Sequence, residues 1–221
     1  MPGTGARPSY AARPVPFDFR PGHPSAPWGD LAPLKIDRYL WLDNGYRPDA
    51  EARLGWSEGF LYVRFRVGEA RIRVRHMSFQ DPVYKDSCVE LFIDAFPEKR
   101  IGYLNLETNA AGTLLAAFGP DRTRRRPLRR EELAGFEAAA TVPGPVDGEH
   151  GAEAWTLGYR VPLSLFERLY GERIRTGHRC RGNLYTCGDE TETPHYGAWS
   201  PVTTPGPDFH RPEFFGEIVF V

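Results

Sequence analysis

The sequence contains no long hydrophobic run. Nothing in its 221 residues approaches the roughly 20 consecutive apolar residues needed to span a bilayer. The stretch from Met1 to Ser25 also lacks the apolar core of a secretory signal. We therefore expect no membrane partner. The predicted location is the cytoplasm if Met1 is the natural start, and extracytoplasmic if the natural chain begins further upstream.

Cysteine is scarce, and no metal-binding spacing occurs. Of the three cysteines, Cys180 and Cys187 lie seven positions apart in one predicted strand. Seven strand residues span about 23 Å, whereas a disulfide needs Cα atoms within about 7 Å, so buried free thiols are expected. The six histidines form no paired motif. His76 and Met77 are adjacent and would point to opposite sides of a strand, which disfavours haem.

Strong net charge is also missing. The formal net charge of −1 gives no general field that would steer a polyanion, so no nucleic acid partner is expected. The exception is local: residues 122–130 contain six arginines in nine positions. Glu131 and Glu132 follow directly and no aromatic residues interleave, which favours a solvated loop. A loop that meets an acidic partner is the alternative.

Strand patterning dominates the centre of the chain. In Asp86–Asp94 the two-residue period places Val89, Leu91 and Ile93 toward a core and Glu90 on the opposite side. A charge in the middle of an apolar strand costs free energy unless a partner or ligand uses it. The run Tyr103–Asn109 repeats the pattern, with its polar side formed by Tyr103, Asn105, Glu107 and Asn109. Two neighbouring strands should therefore present carboxylates and amides on one sheet face.

Further alternating runs predict an all-β protein. Strands are expected over residues 34–42, 50–56, 60–67, 71–75, 113–118, 136–142, 155–161, 179–188 and 213–221. Only residues 162–170 resemble a helix, with Pro162 in its first turn and Gly171 as a stop. Many strands, one short helix and no βαβ rhythm predict an antiparallel β-sandwich, jelly-roll-like in type.

The beginning of the chain is rich in proline, with Pro2, Pro8, Pro14, Pro16, Pro21, Pro24 and Pro27. These residues should prevent regular ladders and favour an extended arm over residues 1–27, ahead of a single domain at 28–221. We expect the arm to be ordered only where Phe17, Phe19 and Trp28 can dock.

Five segments occur in a fixed order: V-Y-K-D-S-C-V-E-L-F-I-D, Y-L-N-L-E-T-N-A-A-G-T-L, R-G-N-L-Y-T-C-G-D, W-S-P-V and P-D-F-H-R-P-E-F-F-G-E-I. Together they resemble the family 9 carbohydrate-binding modules, in particular the stand-alone family 9-like branch, roughly from Trp28 to Val221. The resemblance implies non-catalytic binding of a mono- or oligosaccharide between two aromatic rings. It also leaves a structural calcium ion open, for which Asp189, Glu190 and Glu192 form an acidic loop.

The resemblance assigns individual residues. Tyr84 takes the place of the first ring, which is normally a tryptophan, and Trp199 takes the place of the second. Glu90 matches the acidic ligand residue. Asn105 falls among the polar contacts of the next strand, where Tyr103 stands in place of the expected arginine.

Reasoning from the residues adds two candidates and leaves alternatives open. Glu107 and Arg181 complete the predicted ligand-binding set of Tyr84, Glu90, Asn105, Glu107, Arg181 and Trp199. In another interpretation Arg181 neutralises Glu90, while the aromatic rings merely cover the sheet. In a third, Glu90 and Glu107 are the carboxylate pair of a glycoside hydrolase or lyase. A monomeric saccharide-binding domain is the favoured prediction.

Overall fold

The computed structural model describes residues 7–16, 20–23, 28–149 and 153–221. The strands found there are β1 (Ser9–Pro14), β2 (Leu34–Lys35), β3 (Asp49–Trp56), β4 (Phe60–Gly68), β5 (Arg71–Val74), β6 (Cys88–Asp94), β7 (Tyr103–Asn109), β8 (Leu114–Gly119), β9 (Arg126–Pro127), β10 (Glu137–Ala140), β11 (Val146–Glu149), β12 (Trp155–Pro162), β13 (Arg179–Cys187), β14 (Tyr196–Ala198) and β15 (Gly216–Phe220). A single α-helix in these ranges, α1, covers Leu163–Tyr170. Short 3-10 turns cover Trp28–Asp30, Val83–Lys85, Pro97–Lys99, Arg130–Leu133 and Pro212–Phe214.

The strands form a β-sandwich with two layers. The first layer runs in the order β10, β12, β4, β3, and the second in the order β15, β13, β6, β7, β8, β9. Neighbours within each layer are antiparallel, as expected for strands joined by short turns. β14 adds to β13, β2 adds to β3, and β5 pairs with β11 in a separate two-stranded ribbon. The predicted all-β sandwich with one short helix is confirmed.

Strand β1 links the two layers. Residues Ser9 to Ala12 pair with β15, Arg13 and Pro14 pair with β3, and both pairings are parallel. The expectation that prolines keep this region out of a ladder is wrong for Ser9–Pro14. The residues between Pro8 and Pro14 all retain their backbone N–H donors, and each proline stands at a strand boundary, where proline is tolerated.

Outside β1, the predicted arm is only partly described. Phe17 and Phe19 lie outside the described residues, and the proposed boundary between residues 27 and 28 stays a prediction. Trp28 is buried and packs in a small cluster with Leu31 and Tyr62. A tryptophan docked by apolar contact is consistent with the large area that its ring removes from water.

One apolar core lies between the layers. In β4 the core side chains are Leu61, Val63, Phe65 and Val67, and in β6 they are Val89, Leu91 and Ile93, as the two-residue period predicts. In β12, which confirms the strand expected over residues 155–161, the core side chains are Trp155, Leu157, Tyr159 and Val161. Because these residues alternate with outward ones, the side chains of Cys88, Glu90 and Phe92 are directed to the outer face of the second layer.

The outer face of the second layer is covered by loops. A second apolar cluster joins Phe92, Tyr103 and Tyr185 of the sheet to Val202, Phe209 and Phe215 of the chain segments that pass over it. This cover explains why residues on an outer sheet face are buried. It also means that polar side chains among them, such as Glu90 and Glu107, lie in a low-dielectric environment.

The ends of the helix and of the first predicted strand differ in how well they agree with the sequence prediction. The helix is confirmed, with Pro162 as its N-cap and Gly171 in the left-handed conformation at φ 76°. The strand expected over residues 34–42 is wrong beyond Lys35. After Ile36 the chain leaves β3, and Arg38 makes one isolated bridge to Ala198.

No helix in the described ranges is both long and apolar enough to cross a membrane. The predictions of location and oligomeric state stay predictions.

Candidate functional site

A cavity of about 360 Å³ opens on the covered outer face of the second layer. Its floor is formed by β6, β7 and β13, and its walls come from the loops that cross them. It is lined by Tyr84, Glu90, Glu107, Arg122, Arg125, Cys187, Asp189, Tyr196, Pro207, Asp208, Phe209 and His210. A concave site of this size is typical of small-molecule binding, and here most of the lining is polar or charged, with aromatic rings among it.

Two carboxylates lie side by side at the floor. Glu90 of β6 and Glu107 of β7 are direct cross-strand partners, and their side chains are 3% and 2% exposed. Opposed side chains on neighbouring antiparallel strands have Cβ atoms about 4.5–5.5 Å apart. The thiol of Cys187 donates a hydrogen bond to Glu90 Oε1 at 3.2 Å. Like charges this close are destabilising unless a cation or a proton is shared between them.

The cation is Arg125, and it binds only one of the two acids. Its Nη1 atom donates to Glu107 Oε1 at 3.0 Å, and Asn105 Nδ2 donates to the same oxygen at 2.9 Å. Within the described ranges Glu90 forms no ion pair. The interpretation of the arginine-rich segment as a solvated loop is therefore wrong for Arg125, because a buried carboxylate draws this side chain inward.

The electrostatics follow from this asymmetry. Burial, and then the charge of Glu107, raise the pKa of Glu90 well above its ordinary value. Burial also raises the pKa of Glu107, whereas Arg125 acts in the opposite direction. Glu90 is therefore the acid that retains a proton longest as the pH rises. A protonated carboxyl can donate one hydrogen bond as well as accept them, which widens what Glu90 can offer a ligand.

Aromatic rings form much of the wall. Tyr84 is carried by the 3-10 turn Val83–Lys85, whose carbonyl at Tyr84 accepts a hydrogen bond from the backbone N–H of Asp189. Phe209 stacks on Tyr185 with ring centroids 4.0 Å apart. Tyr196 stands edge-on to Phe209, so the walls are braced by ring contacts beneath and beside them.

His210 closes one side of the cavity as a neutral ring. Its Nδ1 atom lies 2.8 Å from the hydroxyl of Tyr103. Burial, followed by the charges of Arg125 and Arg122, lowers the pKa of His210 to about 3. At neutral pH the cavity therefore contains two guanidinium groups and four carboxyl groups, from Glu90, Glu107, Asp189 and Asp208, without a histidine charge.

The structure brings together three of the six predicted site residues. Tyr84, Glu90 and Glu107 line the cavity. Asn105 lies behind the lining, fully buried, where it supports Glu107. Arg181 and Trp199 are not among the lining residues. The hypothesis that Arg181 neutralises Glu90 is wrong, since the guanidinium at the floor belongs to Arg125 and binds the other acid.

The tryptophan differs most from its prediction. Trp199 is half-buried and packs against the main core between the layers. Its ring also lies against Gly216, where an added Cβ would meet the indole at 2.6 Å. This position follows from β14, which holds the chain directly on β13 just before Trp199. The expected pairing of Tyr84 with Trp199 is not seen, and Tyr196 shares the cavity with Tyr84 instead.

The acidic loop after β13 is largely occupied by ion pairs. Glu190 binds Arg73 at 2.7 Å and Lys85 at 2.8 Å. Glu192 pairs with Arg71. Asp189 faces the cavity, where burial raises its pKa. Calcium binding at this loop stays a prediction, and two of its three carboxylates already have cationic partners.

The predicted binding set does not include Arg125, Tyr196 or His210, all of which line this cavity. The one available signal was local: Glu107 and Arg125 flank strand β8, so a buried acid on one side of a hairpin faces an arginine just past the other. Nothing in the spacing of Tyr196 or His210 distinguishes them from other loop residues. Their placement depends on how the covering loops cross the sheet.

The protein is a β-sandwich with a cavity on the covered face of one layer, an architecture that suits a binding domain for a small ligand. The comparisons with known proteins then give the family. The family model of Carbohydrate-binding family 9 matches residues 29–220, so the chain belongs to that family. The predicted family resemblance is confirmed. None of the curated proteins compared with the chain matches it.

Solved structures share the whole fold. A candidate carbohydrate-binding protein from Bacteroides uniformis is 28% identical with a TM-score of 0.86, covering 98% of this chain and 100% of its own. A family 9 module from Caldicellulosiruptor kristjanssonii, in complex with glucose, is 14% identical with a TM-score of 0.66 and covers 97% and 96%. A family 9 module from the same organism, in complex with cellotriose, is 13% identical with a TM-score of 0.63. The match covers 96% of this chain and 93% of that module.

Proposed function

We propose that this protein binds a saccharide in the cavity over β6, β7 and β13 and does not alter it chemically. The observation that carries the proposal is the pair Glu90 and Glu107 at the floor of a 360 Å³ cavity with tyrosine and phenylalanine walls. A sugar has apolar C–H faces and a rim of hydroxyl groups, so aromatic rings and directed polar groups complement it. Family membership supports the same class of ligand.

Each group at the floor has a role in this proposal. The free carboxyl of Glu90 bonds one or two sugar hydroxyls, as donor or acceptor. Glu107 is held by Arg125 and Asn105, so it keeps a fixed position and acts as an acceptor. Arg122 at the rim supplies further donors. Tyr84 provides the ring face for stacking, with Tyr196 and Phe209 as the other aromatic members of the wall.

The size of the cavity favours a short ligand. A volume of about 360 Å³ is near the lower end for ligand pockets, which suits one or two sugar units and the end of a longer chain. The two Caldicellulosiruptor kristjanssonii modules were solved with glucose and with cellotriose. Glucose and short β-linked glucose oligomers are therefore the first ligands to test.

The arrangement of the acids favours binding over hydrolysis. A glycosidase places one carboxyl group on each side of the bond that it cleaves. Glu90 and Glu107 instead project from adjacent positions of one sheet floor, so both approach a ligand from the same side. Glu107 is also fixed by Arg125 and Asn105, which favours a permanent acceptor over a proton carrier.

Calorimetry against glucose, cellobiose, cellotriose, xylose and galactose tests the proposal. We expect heat of binding at one site for at least one sugar, and no new reducing ends after long incubation with cellotriose. The variant Glu90→Ala should abolish the heat while its thermal unfolding stays cooperative. Absence of heat with every sugar of the panel would refute the proposal of sugar binding. Release of new reducing ends would refute the proposal that the bound sugar is left unaltered. All of these titrations are run in chelator-treated buffer.

A further inference from the structure

Three potential metal ligands converge beneath the cavity. Cys88 of β6 and Cys187 of β13 are direct cross-strand partners, and Glu90 follows Cys88 on the same side of β6. The two sulfur atoms and a carboxylate oxygen of Glu90 all lie within 4.8 Å of one another, and all three side chains are buried. This juxtaposition is built by strand register, so it does not depend on a loop conformation.

The spacing of these atoms suits a tetrahedral ion. Zinc binds thiolate sulfur at about 2.3 Å and carboxylate oxygen at about 2.0–2.2 Å, so ligand atoms of a tetrahedral site lie about 3.5–3.8 Å apart. The observed upper bound exceeds this by about 1 Å, a change that side-chain rotation can supply. Two thiolates with one carboxylate also select a soft or borderline cation, because calcium and magnesium prefer oxygen ligands alone.

This point lacks a cationic partner within the described residues, and its acidic groups carry protons that a metal ion can displace. Arg125 is engaged with Glu107, and Glu90 has no ion pair among the residues that the structure describes. The thiol of Cys187 donates a hydrogen bond to Glu90 Oε1 at 3.2 Å. Asp189 adds a further acidic group nearby. An added divalent ion would neutralise the thiolates and the carboxylate together, since metal binding displaces the protons of its ligands.

We propose that Cys88, Cys187 and Glu90 form a zinc site with three protein ligands. Glu90 and Cys187 line the cavity, so the fourth position of the ion faces that space and is open to water or to a ligand oxygen. The site is separate from the predicted calcium loop. It does not depend on sugar binding, although it shares Glu90 with the proposed sugar site.

Zinc titration of the reduced, chelator-treated protein tests this proposal in the absence of any sugar. We expect one zinc ion per chain, and replacement by Co²⁺ should give the thiolate-to-metal absorption that sulfur ligation produces. Cys88→Ala and Cys187→Ala should each weaken zinc binding by at least about 100-fold, and Glu90→Gln by about 10-fold. The matched control is Cys180→Ala. That thiol belongs to the same strand but packs in the core on the opposite face, so its removal should leave zinc affinity unchanged.

The wild-type protein alone can overturn the inference. If no stoichiometric zinc binds, or if bound Co²⁺ shows no sulfur absorption, the site does not exist. Zinc affinity that survives both Cys88→Ala and Cys187→Ala would place the ion elsewhere. Recovery of a Cys88–Cys187 disulfide that persists under reducing conditions would also refute it. Because these measurements use metal alone, their failure leaves the sugar-binding result independent.

Discussion

Glu90 and Glu107 face each other across strands β6 and β7, yet only Glu107 has a cationic partner. The two acids therefore differ in kind although their positions in the sheet are equivalent. Glu107 is a fixed acceptor held by Arg125 and Asn105, whereas Glu90 has no counter-ion among the described residues and holds its proton to higher pH.

Glu90 should make folding stability depend on pH. The folded protein keeps a proton on Glu90 above the ordinary pKa of 4.5, where the unfolded chain has released it. Stability contributed by this group is therefore present at low pH and falls as the pH rises above about 4.5, by up to about 1.4 kcal/mol per pH unit. Denaturant unfolding of the wild type and of Glu90→Gln from pH 4 to 8 measures it.

The glutamine variant should gain stability relative to the wild type as the pH rises, because an amide cannot ionise. Groups distant from this pair affect both proteins equally, so the difference between them reports Glu90 together with its effect on Glu107. Glu131→Gln removes an exposed carboxylate and serves as the control. A pH-independent difference between wild type and Glu90→Gln would show that Glu90 has the same pKa in the folded protein as in the unfolded chain.

Arg125 should be important for stability although it belongs to an arginine-rich segment. Its removal leaves Glu107 buried without a counter-charge, which typically costs about 3–5 kcal/mol. We expect Arg125→Ala to lower the free energy of unfolding by an amount in this range. Arg124→Ala is the control: its side chain is 72% exposed and pairs with Asp121, so its loss should change stability by less than about 0.5 kcal/mol. Equal effects of the two variants would contradict the assignment.

The two predicted aromatic residues should separate by function. Tyr84→Ala removes a ring from the cavity wall and should weaken sugar binding by about 10-fold, equivalent to about 1.4 kcal/mol, with little change in stability. Trp199→Phe should instead lower stability by about 1–3 kcal/mol through lost packing, and leave sugar affinity unchanged. Calorimetry and denaturant unfolding of both variants provide the four values. A loss of sugar affinity in Trp199→Phe without a loss of stability would support the predicted pairing of Tyr84 with Trp199 around the ligand.

A glycine under the arginine segment controls its position. An added Cβ at Gly119 would lie 2.4 Å from the Cα of Arg125, so the backbone there must move. We expect Gly119→Ala to cost about 1–3 kcal/mol of stability and to weaken sugar binding, since Arg125 is displaced from Glu107. Gly144→Ala meets no atom within 4 Å and should change neither quantity appreciably. Denaturant unfolding measures the stability of the two variants, and calorimetry measures their sugar affinity. Equal values for the two variants would contradict the role of Gly119.

Much of the sandwich could be predicted because strand periodicity is a local property. The alternation in β4, β6 and β12 fixes which side chains enter the core, and Pro162 with Gly171 fixes the helix. The same alternation correctly placed Glu90 and Glu107 on one face. Short-range rules of this kind need no knowledge of distant parts of the chain.

The composition of the site was less predictable because its walls come from loops. Trp199 was assigned to the binding site by resemblance, yet the chain that follows β14 packs its ring against the core. Arg125 was assigned to solvent on the character of its neighbours, yet one buried carboxylate 18 positions earlier recruits it. Both outcomes depend on contacts between residues that are separated in sequence, and local sequence patterns do not encode such contacts.

Strand β1 has a practical consequence for fragment design. The match to the family begins at residue 29, but Ser9–Pro14 is the strand through which β15 and β3 are joined. A fragment trimmed to the family boundaries would expose an unpaired edge on each layer, and exposed edges are templates for aggregation. Expression studies of this protein should therefore keep the amino-terminal segment, because β1 pairs with a strand of each layer.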